Sequence, residues 1–206
     1  TIQDGAVKII SDSGSLRIFY NELELSEGPG IRTIFDVYNI NKQLDSNNAR
    51  WQIDKVAGNR MVCYLHWDLL PRILQKWDIA IQNNTIGLLI TISSYDNLNI
   101  YNEHTGLLLS RNYKKWATAP GEEGIVDYNF TGKTRGVPIK NNKSKMFYVK
   151  RYTQIGAVYP EVIFSSILDN APVVTSISLD KDSGLGVYFL KADQRQALAE
   201  TPGEYV

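Results

Sequence analysis

Apolar and polar residues alternate along most of the chain, which is the period of half-buried β-strands. Residues 7–10 and 16–20 alternate on either side of a polar, glycine-containing loop at 11–15, a pattern that predicts a hairpin. The alternation resumes at residues 22–25, and the Gly-Pro-Gly run at 28–30 predicts that this strand ends there. Ten further short runs, rich in Ile, Val, Tyr and Thr, predict strands at residues 31–38, 50–53, 60–65, 77–81, 85–93, 125–130, 145–152, 161–168, 173–179 and 185–190.

Helical patterns are confined to two stretches, residues 68–76 and 192–199, each about two turns long. Residues 94–145 are rich in Asn, Gly, Lys and Tyr, which predicts longer loops with short strands. Many short strands separated by Asn, Gly, Asp and Pro are typical of a sandwich or barrel and not of alternating βαβ units. The predicted fold class is therefore all-β with short helical turns.

A weak internal repeat connects the two halves of the chain. Residues 53–58 and 179–184 both carry Asp-Lys-x-x-Gly between two apolar runs, and an aromatic strand is predicted after each copy. Chance matching over so few identities is the alternative, and both explanations stay open. A true repeat predicts two β-sandwich modules, residues 1–93 and residues 94–206, the second with a loop-rich first half.

Residues 176–206 resemble a known family. Ser-Ile-Ser-Leu-Asp-Lys-Asp-Ser-Gly (176–184) precedes Val-Tyr-Phe-Leu-Lys-Ala-Asp-Gln-Arg-Gln-Ala-Leu (187–198) and Pro-Gly-Glu-Tyr-Val (202–206). This order resembles the closing half of immunoglobulin-like modules in virion proteins of tailed phages. The resemblance implies one or two immunoglobulin-like sandwiches, with a single jelly-roll-like sandwich as the alternative. The family's last strand runs further than Val206, which implies a truncated strand or an edge completed by a neighbouring subunit.

Few residues suit catalysis or metal binding. The chain has one Cys, Cys63, and two His, His66 and His104, and it lacks a Gly-x-Ser-x-Gly elbow. Cys63 lies in an apolar alternation, which predicts a buried and inert thiol. One Cys excludes an internal disulfide, and the scarcity of His and Cys predicts no transition-metal site. We expect no cofactor and no enzymatic activity.

Two acidic patterns have a chemical and a structural interpretation. The Asp-x-Asp-x-Gly pattern at residues 180–184 matches the start of a calcium loop, but apolar residues follow, and a hairpin turn explains it better. Glu22 and Glu24 are predicted to share the exposed face of one strand. They and Glu122-Glu123 would serve a glycosidase only if they faced each other across a cleft, and solvated charges are the expected alternative.

The segment 111–116 (Arg-Asn-Tyr-Lys-Lys-Trp) interleaves aromatic and basic residues. Such residues stack on sugars or bases, or anchor a protein interface. Tyr113, Lys114, Lys115 and Trp116 are therefore the candidate binding residues. The alternative is a lysine-bearing loop whose Trp116 folds into the core, and a buried Trp116 would remove the binding hypothesis.

Composition narrows the classes of partner. The 206 residues contain 22 Lys+Arg and 22 Asp+Glu, and zero net charge argues against nucleic acid or an anionic membrane surface as main partner. No run approaches the roughly 18–20 apolar residues of a membrane-spanning helix, and residues 1–20 lack the layout of a signal peptide. Acids concentrate at residues 22–27 and bases at 111–145, which predicts a salt-sensitive, head-to-tail contact between copies.

The resemblance of residues 176–206 implies a structural virion protein of a tailed phage, in its tail, neck or baseplate, assembled in the host cytoplasm. The scarcity of catalytic residues favours a non-enzymatic role. The expected partners are copies of the chain, in a ring or another symmetric oligomer, and other virion proteins. The alternative function is a carbohydrate- or receptor-binding β-sandwich module that uses residues 111–116. A third hypothesis, an enzyme on a sandwich scaffold, would require one of the glutamate pairs to act in a cleft.

Overall fold

The computed structural model describes residues 1–12, 14–68, 72–94, 99–118, 121–140, 146–151, 159–165, 173–182, 184–191 and 203–205. Strands account for 71% of the structure and helix for 3%, which confirms the predicted all-β class. The first ten strands are β1 (Ile2–Asp4), β2 (Val7–Asp12), β3 (Ser15–Tyr20), β4 (Leu23–Glu24), β5 (Ser26–Val37), β6 (Lys42–Asp45), β7 (Arg50–Ala57), β8 (Arg60–Trp67), β9 (Ile73–Gln82) and β10 (Thr85–Ser94). The next nine are β11 (Ile100–Leu109), β12 (Tyr113–Thr118), β13 (Glu123–Ile125), β14 (Thr134–Val137), β15 (Met146–Arg151), β16 (Val162–Ser165), β17 (Val173–Asp180), β18 (Gly184–Lys191) and β19 (Gly203–Tyr205). Two 3-10 turns lie at Tyr38–Ile40 and Ser46–Asn48.

The strands form three sheets. The ten-stranded sheet has the order β1-β2-β3-β5-β11-β18-β17-β14, with β4 beside β3 and β6 beside β5. The five-stranded sheet has the order β19-β10-β9-β8-β7, and the four-stranded sheet the order β13-β12-β15-β16. Among the described strands, only β3 and β5 pair in parallel, through Leu16 opposite Gly30. The predicted hairpin around residues 11–15 is confirmed by the antiparallel pairing of β2 with β3.

One apolar core joins the sheets into a sandwich. In β9 the alternate residues from Ile73 to Ile81 are buried, as the strand period requires. Phe35 on β5 and Trp67 on β8 pack edge to face, with ring centroids 5.4 Å apart. This contact connects the ten-stranded sheet to the five-stranded sheet.

The turn after β6 anchors two indole rings at the same place. Its Asp45 carbonyl accepts a hydrogen bond from Trp67 Nε1 (3.1 Å), and its Ser46 carbonyl accepts one from Trp51 Nε1 (2.8 Å). Trp51 in turn contacts the fully buried ring of Trp77 at 5.1 Å between centroids. Both of these indole N–H groups therefore have partners, and the two rings are fixed in orientation.

The predicted helix at residues 68–76 is wrong for residues 73–76, which begin β9. The strand alternation is hidden in the sequence because Gln75, a polar residue, occupies a fully buried position between Ile73 and Trp77. Its Oε1 accepts a hydrogen bond from Trp77 Nε1 at 3.0 Å, which reduces the cost of burying the amide. Residues 69–71 and the predicted helix at 192–199 lie outside the described residues.

The expected break at residues 28–30 is also wrong, because β5 continues through it from Ser26 to Val37. Gly28 and Gly30 have φ values of 57° and 67°, so the strand bends at these residues instead of ending. A Cβ atom on Gly30 would lie 2.0 Å from the Leu16 carbonyl oxygen. Glycine is thus required where β5 meets β3.

Residues 94–145 contain a longer strand than their composition predicts. β11 lies centrally in the large sheet, between β5 and β18. Its middle residues, 102–106 (Asn-Glu-His-Thr-Gly), have no apolar alternation, and Glu103 is nevertheless buried. Conversely, the strand predicted at residues 125–130 contains only the end of β13 at Ile125.

The sheets combine both halves of the chain. β5 pairs with β11, and β10 pairs with β19, so the predicted boundary between residues 93 and 94 does not separate the sheets. Both copies of the proposed repeat are hairpins, β7–β8 and β17–β18, but Asp54 lies opposite Val62 within a ladder while Asp180 lies opposite Gly184 at the turn. The strand after each hairpin also differs in position, because β9 flanks β8 whereas β19 flanks β10.

The Gly30→Ala substitution is expected to destabilise the fold by at least about 2 kcal/mol, because it adds a methyl group against a backbone carbonyl at positive φ. Gly136→Ala, also in a strand of the large sheet but with no atom within 4 Å of the added Cβ, serves as the matched control. Urea denaturation of both variants measures the difference, and equal midpoints would contradict the close approach of β5 and β3.

Candidate functional site

The predicted binding segment lies on β12 and the turn before it. Tyr113 is fully buried, and Trp116 is 5% exposed, so both rings belong to the core. Lys114 is half-buried and Lys115 is exposed. The structure therefore separates the four candidate residues into two inward rings and two outward cations.

An irregularity in the β12–β15 ladder produces this separation. Tyr113 lies opposite Arg151 and Lys115 lies opposite Lys150, so β12 advances two residues while β15 advances one. This is a β-bulge with Lys114 as the extra residue. A regular strand would place Tyr113 and Trp116 on opposite faces, whereas the bulge turns both rings inward.

Specific contacts hold the two rings in place. The Tyr113 hydroxyl donates to the Pro160 carbonyl (3.1 Å), and its ring meets Tyr159 edge to face at 5.6 Å between centroids. Burial raises the pKa of Tyr113 above its usual value. Trp116 covers Gly124 so closely that a Cβ atom there would lie 2.6 Å from the indole. The carbohydrate- or receptor-binding hypothesis therefore loses the two rings on which it depended.

The cations of this segment are engaged within the chain. The Arg111 guanidinium and the Lys114 ammonium lie 5.8 Å and 4.9 Å from the ring centroid of Tyr128. Burial raises the pKa of Tyr128 to about 12. Arg111 also pairs with Glu27, at 3.6 Å between Nε and Oε1. Part of the acid–base complementarity predicted between copies is thus an internal contact of one copy.

The thiol of Cys63 is inaccessible from the surface. Cys63 is fully buried in β8, as the sequence predicts, and burial raises the pKa of its thiol to about 12. His66, three residues later, borders a surface depression of about 480 Å³. None of the residues that line this depression carries a hydroxyl or a thiol; they are Lys42, Gln43, Leu44, Asp45, Asn48, Ala49, Arg50, His66, Trp67 and Asp68. A His-based nucleophilic triad therefore has no nucleophile here.

The Asp-x-Asp-x-Gly pattern closes the β17–β18 hairpin. Asp180 Oδ1 accepts a hydrogen bond from the Asp182 backbone N–H at 2.7 Å, and Gly184 has a φ of 80°. Asp182 pairs with Lys133 at 3.0 Å. Within the described ranges, no group of three or more His, Cys, Asp or Glu side chains is arranged to hold a metal ion.

Glu22 and Glu24 lie in different elements, a turn and a strand. Glu22 lies in a turn at a φ of 64° and contacts Lys8, whereas Glu24 lies in β4 and bonds Arg17 Nε at 2.7 Å. The prediction that they share one strand face is therefore wrong. Glu122 accepts a hydrogen bond from the Lys140 backbone N–H at 2.9 Å.

The edge of the five-stranded sheet formed by β10 is the feature best suited to binding. β19 pairs with β10 only from Ile92 to Ser94, and no described strand covers residues 85–91 on that side. This open stretch, Thr-Ile-Gly-Leu-Leu-Ile-Thr, contains no charge and no proline. Charges, prolines and bulges are the usual protection of an edge strand, and an unprotected edge is a template for another strand. The strand was predictable from its composition, but its position at an edge was not.

The opposite edge of the same sheet, β7, has the usual protection. Arg50, Asp54 and Lys55 are exposed along it. The two edges of one sheet thus differ in chemistry, and only the β10 edge offers an uncharged surface for strand pairing.

Replacement of Trp116 by Ala should lower stability by about 3–5 kcal/mol, because it empties a core position under which Gly124 is packed. Lys115→Ala, at the adjacent exposed position, should change stability by no more than about 0.5 kcal/mol. Thermal denaturation measures both effects. A stable Trp116→Ala variant would instead place the ring on the surface and restore the binding hypothesis.

Ellman's reagent should leave native Cys63 unmodified at pH 8, because burial excludes the reagent and a pKa of about 12 leaves almost no thiolate. The same protein unfolded in guanidinium should react fully, since an exposed thiol has a pKa of about 8.5. Absorbance at 412 nm reports the reaction. Rapid labelling of the folded protein would show that the thiol is accessible.

None of the helical segments in the described part of the chain is long and apolar enough to cross a bilayer. Comparisons with protein-family models, curated proteins and solved structures found no match to this chain.

Proposed function

We propose that the chain is a non-enzymatic structural component of a tailed-phage virion, in its tail, neck or baseplate. In this proposal it assembles in the host cytoplasm with copies of itself, in a ring or another symmetric oligomer, and docks to other virion proteins. Affinity comes from pairing of strand edges and from apolar contacts beside them.

The open β10 edge carries this proposal. A seven-residue edge without charge or proline is costly to leave exposed, because it invites unwanted association. A protein that works within an assembly has a use for such an edge, since a neighbouring strand satisfies its free N–H and C=O groups.

The resemblance of residues 176–206 gives the proposal its biological setting. The resembling segment contains the β17–β18 hairpin, the acidic-glycine turn at Asp180–Gly184 and the short strand β19. β19 pairs with β10 of the same chain, so its three described residues have an internal partner. Residues 192–202, which the resemblance also includes, lie outside the described residues.

Purified particles test the proposal. An antiserum against the recombinant chain is applied to density-gradient fractions of phage from the culture that carries the gene, and the chain is expected in the particle fractions. A host cytosolic protein, blotted on the same fractions, controls for carry-over. Detection of the chain only in fractions without particles would overturn the proposal.

A further inference from the structure

The open stretch of β10 presents backbone groups in a defined order. Asn83 and Asn84 both have positive φ, 50° and 58°, and join Gln82 to Thr85 in a two-residue hairpin turn. Such a turn places a hydrogen bond between Gln82 and Thr85. Bonded and non-bonded pairs alternate in an antiparallel ladder. The N–H and C=O groups of every second residue from Ile86 to Ile90 therefore point away from β9, to the open side.

The core is incompletely covered at the same place. On the core face of this sheet, Ile86, Leu88 and Ile90 lie opposite three residues of β9 that are fully buried. The three β10 residues are themselves only half-buried, although they pack against the core. Their β9 partners are Ile81, Ile79 and Trp77. An additional strand beside β10 would complete the burial.

The sequence of the open stretch reads almost the same in both directions. Thr-Ile-Gly-Leu-Leu-Ile-Thr, residues 85–91, has Leu88 at its centre, with Ile86 and Ile90 at equal distances from it and Thr at both ends. An antiparallel pair related by two-fold symmetry about Leu88 places Ile opposite Ile, Thr opposite Thr and Leu88 opposite itself. Like residues face each other without conflict here, because none of them is charged.

We propose that the open edge of β10 pairs with the same edge of a second copy, which forms a two-fold dimer with Leu88 at the axis. The three outward-pointing residues of each copy exchange hydrogen bonds across the axis, and Ile86, Leu88 and Ile90 of both copies form one continuous core face. The described residues of β19 pair with Ile92–Ser94 of β10, beside the stretch that the dimer uses. Such an interface is isologous and closed, which limits it to two chains.

The dimer would be one contact between copies in the proposed assembly. This inference rests on the proposed function only in that copies of the chain must associate. A seven-residue strand pair is a small interface, below about 1,200 Å² of total buried area, and such interfaces are weak. We therefore expect reversible dimerisation between about 10 and 500 μM. A chain that stays monomeric over that whole range in sedimentation equilibrium would overturn the inference.

Cysteine cross-linking tests the position of the axis. Leu88→Cys places two thiols on residues about 5.5 Å apart between Cα atoms, within the range of a disulfide. The control Thr85→Cys lies six residues from its counterpart in the other copy, about 20 Å away. Cys63 is buried and does not interfere. Under mild oxidation, Leu88→Cys should give at least ten times more disulfide-linked dimer than Thr85→Cys, and equal yields would overturn the register.

Paired charges test the interface without disturbing the core. Gly87 and Leu89 are exposed and lie opposite each other across the axis, and a Cβ atom on Gly87 meets only the Ala80 carbonyl, at 3.9 Å. Gly87→Lys with Leu89→Lys should weaken dimerisation at least tenfold. An equimolar mixture with Gly87→Glu, Leu89→Glu should restore association. Gln52→Lys with Val56→Lys adds the same charge to the exposed β7 edge and should leave dimerisation unchanged.

Each outcome bears on one proposal. If the Lys variant dimerises as the unmodified chain does, or if the β7 control weakens dimerisation equally, the β10 interface is overturned. A chain that dimerises through β10 but is absent from particles overturns the virion role alone. If the chain is found in particles but its self-association is unchanged by the β10 substitutions, only the dimer proposal is overturned.

Discussion

The packing of the five-stranded sheet on the ten-stranded sheet depends on aromatic rings that are fixed by one turn. The ring of Phe35 meets Trp67, and the turn at Asp45–Ser46 accepts the indole hydrogen bonds of Trp67 and Trp51. Edge-to-face pairs contribute about 0.5–1.5 kcal/mol beyond the area they bury. The Asp45 side chain also holds Arg32 of β5, so one short segment ties both sheets together. Loss of this turn would remove both indole hydrogen bonds and weaken the contact between the two sheets.

Polar groups within the core follow from this arrangement. Gln75 occupies a buried position because its Oε1 holds the Trp77 indole, while its Nε2 has no hydrogen-bond partner among the described residues. An unpaired buried amide costs about 1–3 kcal/mol. This free-energy cost is offset by the hydrogen bond that fixes the orientation of Trp77, which lies on the central strand of the five-stranded sheet. Glu103, on the central strand β11 of the large sheet, is another buried polar residue.

Alternation in the sequence was enough to predict the all-β class and the strands of the β2–β3 and β17–β18 hairpins. It failed where a buried position is polar, as at Gln75, because the periodicity then resembles neither strand nor loop. It also contained no sign of the bulge at Lys114, which places Trp116 on the same inward side as Tyr113. Glycines at positive φ kept β5 continuous through Gly30, where the composition predicts a break.

The sequence alone does not predict the candidate site at the β10 edge, for a different reason. Residues 85–91 were predicted as a strand, but their edge position depends on which strands pair elsewhere in the chain. Sheet order results from long-range packing, and a periodic pattern contains no information about it. Segment 111–116 was predicted to bind because it interleaves aromatic and basic residues. The open edge consists of ordinary apolar residues, which predict a strand and not a binding site.

The pairing of β10 with β19 has a consequence for biosynthesis. The two strands lie far apart in sequence, at Thr85–Ser94 and Gly203–Tyr205, so the chain between them must be made before they meet. Contacts of such separation form late, because the entropy of closing the intervening loop opposes them. During translation the whole β10 edge is therefore bare, and neighbouring nascent chains on one messenger can reach it. A chaperone that binds extended apolar segments would protect newborn chains until β19 is synthesised.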